Sequence, residues 1–214
     1  MLPWLPAYGN VLAAIYALVW GIAAYQPLDF QAWALEQIGV LLALIVLWRV
    51  QVNAPVSNLS LTLIFLFLCA HAVGTHYTYA QVPLADFVQT HFGVSLGEHL
   101  GWTRNHYDRI VHFLFGLFIT LPVLESLRQH NALRGGWYYV MPFALVFSVS
   151  TLYELGEWVA ALIFGGDLGI HFLGIQGDLW DAQKDMALAG VGSALTLLLV
   201  ALFEKRPTIQ SAKS

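Results

Sequence analysis

Six long apolar segments dominate the sequence and limit the folds that it can adopt. About 20 consecutive apolar residues cover the hydrocarbon core of a bilayer as a helix, so each segment is expected to span a membrane. Hydrophobic residues make up 58% of the chain and charged residues 10%, whereas a soluble domain carries about 25% charged residues. The predicted spans are Tyr8–Tyr25, Ala34–Val50, Leu59–Tyr79, His106–Leu127, Trp137–Phe164 and Asp181–Phe203.

The sequence therefore predicts an all-α polytopic membrane protein, a bundle of about six transmembrane helices. Too little sequence lies outside the spans for a second domain, so residues 1–214 are expected to form a single helical domain. Between the third and fourth spans the polarity is mixed, and Leu84–Phe92 is predicted to be a short amphipathic helix at the membrane surface.

Charge and cysteine content exclude several classes of function. The net charge is −4 and no stretch is rich in basic residues, which argues against binding to nucleic acid. The one cysteine, Cys69, lies inside an apolar segment, so no internal disulfide can form and a thiolate metal site is not expected. We interpret Cys69 as a packing residue.

The distribution of basic residues predicts the orientation of the bundle. The six-span topology places six basic residues on one side of the membrane and three on the other. Since positively charged residues concentrate in cytoplasmic loops, both termini are predicted to be cytoplasmic. The six are Arg49, Arg128, Arg134, Lys205, Arg206 and Lys213, and the three are Arg104, Arg109 and Lys184.

Ionisable residues concentrate at the span ends on the extracytoplasmic side. Ionisable groups inside a membrane are costly unless they are paired, hydrated or bound to an ion, so they are expected to face the bundle interior. The topology brings them to a common depth, which predicts a polar pocket near the extracytoplasmic surface. The residues are His71, His76, Asp108, His112, Glu154, Glu157, Asp178, Asp181 and Asp185.

The spacing of these residues indicates shared helix faces. Asp108 and His112 fall on one face together with Asn105, and Glu154 and Glu157 are three residues apart. Paired carboxylates beside imidazoles suit Zn²⁺, Mn²⁺ or Fe²⁺ when no thiolate is present. Helix bundles can hold such ions with carboxylates and histidines from facing helices.

We interpret the cluster as the site of a membrane-embedded, metal-dependent hydrolase that acts on a lipid or lipid-linked substrate from the extracytoplasmic side. An ion there would activate water for attack, and Glu154 is the candidate general base. No spacing identifies the metal, which we expect to be Zn²⁺, Mn²⁺ or Fe²⁺. The candidate ligands are His71, His76, Asp108, His112, Glu157, Asp178, Asp181 and Asp185.

Two other classes of function use the same residues. The cluster could serve a proton- or ion-coupled transporter, or it could be a polar network in a structural scaffold. Asp181 alone could cap the sixth helix, and Arg109 and Lys184 could neutralise neighbouring aspartates. The sequence shows no internal repeat, and the cytoplasmic halves of the spans are almost entirely apolar. These two features favour a site over a continuous pathway.

Four motifs carry a resemblance to a known family. They are His71 with Tyr77-Thr78-Tyr79-Ala80 and Val82-Pro83, Asn105–Arg109 with His112-Phe113, Tyr153–Trp158, and Gly174–Met186. In these motifs the sequence resembles the YjdF-like family of bacterial inner-membrane proteins, which is defined by a domain of unknown function. The resemblance implies a multi-span protein of the bacterial inner (plasma) membrane and implies no particular activity.

Overall fold

The computed structural model describes residues 1–129, 135–166 and 176–203, and within these ranges the chain forms helices and no strands. Five helices are long and apolar enough to cross a membrane, and α1, with 17 residues, is a shorter apolar helix. The predicted all-α membrane bundle is confirmed. The helices are α1 (Ala7–Ala23), α2 (Phe30–Asn53), α3 (Asn58–His76), α4 (Leu84–Phe92), α5 (Leu96–Leu100), α6 (Tyr107–Gln129), α7 (Trp137–Phe164) and α8 (Asp181–Phe203).

Small residues bring α6 and α8 into close contact. A Cβ atom added at Gly116 would overlap the carbonyl oxygen of Ala189, and one added at Gly192 would overlap the carbonyl oxygen of Phe113. In a membrane such contacts replace the hydrophobic effect as the force that holds helices together. Helix α3 packs against α6, α1 against α3, and α7 against both α6 and α8.

Hydrogen bonds at helix ends fix α2 and α3. Asp29 caps α2, because its Oδ1 accepts from the backbone N–H groups of Gln31 and Ala32. The start of α3 is tied to α6 by Glu125, whose carboxylate accepts from the hydroxyl groups of Ser57 and Ser60, each at 2.8 Å. Capping oxygens satisfy donors that a helix leaves unpaired at its first turn.

The end of α3 differs from the prediction. The third span was expected to continue to Tyr79, but α3 ends at His76 and the chain turns back, with φ of 52° at both Thr78 and Tyr79. Positive φ is uncommon for residues other than glycine and is tolerated where the surroundings enforce it. The turn lays the Tyr79 ring against Gly74, where an added Cβ atom would overlap the ring. Tyr79 therefore packs on α3 instead of extending it.

The outward faces of α2 and α7 are apolar and exposed. Leu41 on α2 and Leu152 on α7 are 59% and 67% exposed, as expected for residues that contact lipid. The orientation rests partly on Arg134, Lys205, Arg206 and Lys213, which lie outside the described residues. The cytoplasmic location of the termini therefore stays a prediction.

Candidate functional site

Three potential metal ligands converge where α6 and α8 begin. Asp108 and His112 lie one helical turn apart on α6, and Asp185 lies in the second turn of α8. One ligand atom from each lies within 4.8 Å of the others. Among the residues that the structure describes, these three are the potential ligands that lie close enough together to share one ion.

The separations suit a transition-metal ion. Two nitrogen or oxygen ligands of a tetrahedral ion lie roughly 2.1 Å from it and so roughly 3.4 Å from each other. The distance from His112 Nε2 to Asp108 Oδ1 is 3.6 Å. Three protein ligands leave a position for water, which is the arrangement of catalytic rather than structural sites.

Glu154 of α7 completes the inner part of the cluster. Its Oε1 lies 3.1 Å from His112 Nε2, and both side chains are 8% exposed. Neither Glu154 Oε1 nor Asp185 Oδ1 accepts a hydrogen bond from a described residue. A buried carboxylate that lacks a partner costs several kcal/mol, so this cluster requires a cation or protons for neutralisation.

A second layer of charge lies over the first. Arg104 donates to both carboxylate oxygens of Asp181, at 2.7 and 3.0 Å, and Arg109 donates to Asp181 at 3.0 Å and also to Asp178. Lys184 also pairs with Asp178. Hydrogen bonds from Lys184, the Trp180 backbone N–H and Arg109 hold the pKa of Asp178 well below its usual range.

The three aspartates of the motif Gly174–Met186 thus fall into two different environments. Asp185 joins Asp108 and His112, whereas the carboxylates of Asp178 and Asp181 are bonded to arginines. Gly174 and Ile175, at the start of the motif, lie outside the described residues.

His71 and Tyr79 form a hydrogen-bonded pair beside the cluster. The Tyr79 hydroxyl lies 2.6 Å from His71 Nδ1, while Nε2 of this buried imidazole has no hydrogen-bond partner among the described residues. Burial raises the pKa of Tyr79 well above its usual range, so its hydroxyl stays protonated. The unusual turn after α3 therefore serves to place Tyr79 against His71.

Glu36 is a buried acidic residue that our reading of the sequence did not include in the site. Its Oε2 accepts a 2.6 Å hydrogen bond from the Tyr153 hydroxyl, and Tyr153 also interacts with Tyr79. The sequence did contain an indication of its importance, because a single carboxylate inside an apolar segment is costly and marks a functional position. It was obscured because Glu36 has no ionisable neighbour within its own helix.

The remaining candidates lie around the cluster. His76 Nδ1 bonds the carbonyl oxygen of Ala23 at 2.9 Å, which ties α3 to α1. Glu157 lies three residues beyond Glu154 on α7 and is half-buried, within electrostatic reach of Glu154 and Asp108. Neither residue belongs to the group of three ligands.

Comparison with known proteins confirms the resemblance seen in the motifs. The model of the family described as "Predicted membrane protein (DUF2238)" matches residues 8–206. The "Inner membrane protein YjdF" of Escherichia coli (strain K12) is 37% identical over 187 residues, which are 87% of this chain and 84% of that protein. No solved structure matches the chain.

Proposed function

Since this chain belongs to the DUF2238 family of predicted membrane proteins, we propose that it is a metal-dependent hydrolase of the bacterial inner membrane. Its substrate is a lipid or a lipid-linked molecule, and its site opens on the extracytoplasmic side. One observation carries the proposal: ligand atoms of Asp108, His112 and Asp185 lie within 4.8 Å of one another, next to the buried carboxylate of Glu154.

Each residue has a distinct role in this proposal. Asp108, His112 and Asp185 hold a divalent ion, and their oxygen and nitrogen donors suit Zn²⁺, Mn²⁺ or Fe²⁺. When bound, such an ion lowers the pKa of a coordinated water to near neutrality. Glu154 is placed to accept a proton from the attacking water, since it lies beside His112. His71 supplies a further nitrogen next to the cluster.

The depth of the cluster supports a lipid substrate. Asp108 is the second residue of α6 and Asp185 the fifth residue of α8. At about 1.5 Å per residue, both lie roughly 10 Å or less from the helix ends. Headgroup linkages of membrane lipids lie at that depth, which is the reason for proposing a lipid substrate.

Packing below the cluster favours a closed site over proton- or ion-coupled transport. The backbones of α6 and α8 are in contact at Gly116 and Gly192. Beyond that contact, Thr120 and Ser193 are fully buried and their hydroxyl groups bond each other at 2.8 Å. A transport pathway through these two helices would have to open this contact. A purely structural cluster would leave Asp185 Oδ1, which has no hydrogen-bond partner among the described residues, unexplained.

Lipid turnover tests the proposal. Protein purified in detergent without chelators is incubated with lipids that carry ester or phosphoester linkages, and products are measured by mass spectrometry. We expect hydrolysis that EDTA abolishes and that Zn²⁺, Mn²⁺ or Fe²⁺ restores. Glu154→Gln should lower kcat by about 10²–10⁴-fold.

Glu98→Gln is the matched control, because Glu98 is an exposed carboxylate on α5. It should leave hydrolysis unchanged. Turnover that survives complete removal of metal, or that is the same in Glu154→Gln as in the wild type, would contradict the proposal. So would a metal-loaded protein that hydrolyses none of these lipids.

A further inference from the structure

A cavity of about 430 Å³ lies close to the start of α6, which carries Asp108 and His112. It is formed by the segment between α3 and α6, and its walls include Leu84, Leu96, Trp102, Arg104 and His106. Pockets for small ligands have volumes of about 300–1,000 Å³, with mostly apolar walls and a few polar groups. The size and the walls both fit a ligand.

The cavity adjoins an exposed apolar surface. Phe87 and Phe92, on the adjacent amphipathic helix α4, are 53% and 68% exposed. Aromatic side chains on one face of a surface helix insert at the boundary between headgroups and acyl chains. A lipid molecule can therefore place its headgroup in the cavity while its acyl chains remain in the bilayer.

A cationic group borders the cavity. Arg104 forms part of its wall and belongs to the outer layer, in which Arg104, Arg109 and Lys184 face the carboxylates of Asp178 and Asp181. The carboxylates of Asp108 and Asp185 lie within electrostatic reach of the same arginines. The acidic residue of the cavity wall, Asp86, is exposed to solvent.

The two arginines are arranged as they would be around a phosphate. Arg104 binds both oxygens of Asp181, and Arg109 binds one of them. The bidentate hydrogen bonds of a guanidinium group fit the geometry of a carboxylate and of a phosphate equally well. The buried Asp181 carboxylate, which is not part of the cavity wall, is thus held by Arg104 with the geometry that a phosphate group would accept.

We propose that this cavity binds the phosphate-bearing headgroup of a membrane lipid, with Arg104 holding the phosphate in competition with Asp181. The inference rests on the proposed function, because it names the substrate class of the same site. Asp181 lies one turn before Asp185 on α8, so a phosphate that replaces it is held next to the candidate metal ligands.

Lipid binding to metal-free protein tests the inference separately from hydrolysis. EDTA-treated protein in detergent is titrated with dioctanoyl phosphatidic acid, with dioctanoylglycerol and with inorganic phosphate, and binding is followed by native mass spectrometry. We expect phosphatidic acid to bind at least about tenfold more tightly than either other probe. Charge-assisted hydrogen bonds to a phosphate contribute a difference of this size.

Two variants test the headgroup site in different ways, one by removing the phosphate contact and one by filling the cavity. Arg104→Gln should weaken phosphatidic acid binding about tenfold. Gly97→Phe should weaken it as well, because it fills the cavity without changing charge. The Cβ atom has room there, since its nearest neighbour is the Trp102 carbonyl oxygen at 3.5 Å. Arg49→Gln, which removes a charge from α2 beside Trp48, is the control and should have no effect.

Because Asp181 competes with the phosphate for Arg104, removing its charge should raise the affinity for phosphatidic acid instead of lowering it. Asp181→Asn should tighten phosphatidic acid binding, because Arg104 no longer has to release a carboxylate. The double variant Arg104→Gln/Asp181→Asn keeps the charge balance of the outer layer and should still bind weakly. It shows whether a loss in Arg104→Gln comes from the missing phosphate contact or from an unpaired aspartate.

Several results would overturn the inference. These are equal affinity of wild type and Arg104→Gln, equal affinity of wild type and Gly97→Phe, or dioctanoylglycerol that binds as tightly as phosphatidic acid. Inorganic phosphate that binds as tightly would assign the site to free phosphate. Asp185→Asn should retain phosphatidic acid binding. Phosphatidic acid binding by a protein that holds no metal as purified and shows no turnover would therefore refute the proposed hydrolase alone, and turnover without this binding would refute the headgroup site alone.

Discussion

His112 on α6 and Glu154 on α7 meet inside the bundle, with 3.1 Å between Nε2 and Oε1. The contact lies beside Asp108 and Asp185, so four ionisable side chains from three helices share one buried region. Asp185 Oδ1 lacks a hydrogen-bond donor among the described residues. This combination of convergence and a missing partner is the basis for the proposed metal site.

The ion pairs of Asp178 should make stability depend on pH in the acid range. Lys184, the Trp180 N–H and Arg109 hold its folded pKa below the usual 3.8. A lowered folded pKa adds stability that is complete well above the unfolded pKa and is lost as pH falls through the folded pKa. Asp178→Asn should therefore lower the Tm at pH 7, and the difference from wild type should shrink below about pH 4.

Melting curves in detergent from pH 8 to pH 3 measure this effect. Glu98→Gln, at an exposed position on α5, is the control for loss of a surface carboxylate. A Tm difference for Asp178→Asn that stays constant down to pH 3 would show that the charge of Asp178 is not its source.

Close contact between α6 and α8 should be sensitive to a single methyl group. Gly116→Ala places a Cβ atom on the carbonyl oxygen of Ala189. Overpacking of this kind costs about 1–3 kcal/mol, so the Tm in detergent should fall by several degrees. Gly156→Ala is the matched control, because it lies on α7 with nothing within 4 Å of the added atom. Equal melting of Gly116→Ala and Gly156→Ala would mean that the two helices are further apart.

The turn after α3 should hold Tyr79 on His71. Tyr79→Phe removes the hydroxyl that bonds His71 Nδ1 and should reduce the free energy of unfolding by about 1 kcal/mol. Gly74→Ala should cost more, because its methyl group displaces the whole Tyr79 ring. Denaturant unfolding of both variants measures the two costs. If Gly74→Ala is as stable as the wild type, the ring does not pack on α3.

Several helix positions, and the shared face of Asp108 and His112, were predictable from the sequence because they follow from local periodicity. The predicted bounds of Leu84–Phe92, Trp137–Phe164 and Asp181–Phe203 agree with α4, α7 and α8. Asp108 and His112 had to share a face, since they are four residues apart in a helix. The position of Asp185 followed from its depth in the last span.

Contacts that depend on chain reversal were not predictable in this way. Hydropathy does not encode the left-handed conformation of Thr78 and Tyr79, so the sequence indicated a longer third helix. The pairing of Arg104 with Asp181 depends on the path of the irregular segment before α6. That segment has no periodicity from which a direction could be inferred.

Metal content measured by mass spectrometry on chelator-free, detergent-purified protein tests the central claim most directly. We expect near-stoichiometric Zn²⁺, Mn²⁺ or Fe²⁺ in the wild type and its loss in Asp185→Asn. Asp178→Asn should retain the metal, since Asp178 belongs to the outer layer. Wild-type protein without metal, or folded Asp185→Asn protein that keeps it, would contradict the assignment of Asp108, His112 and Asp185 as ligands.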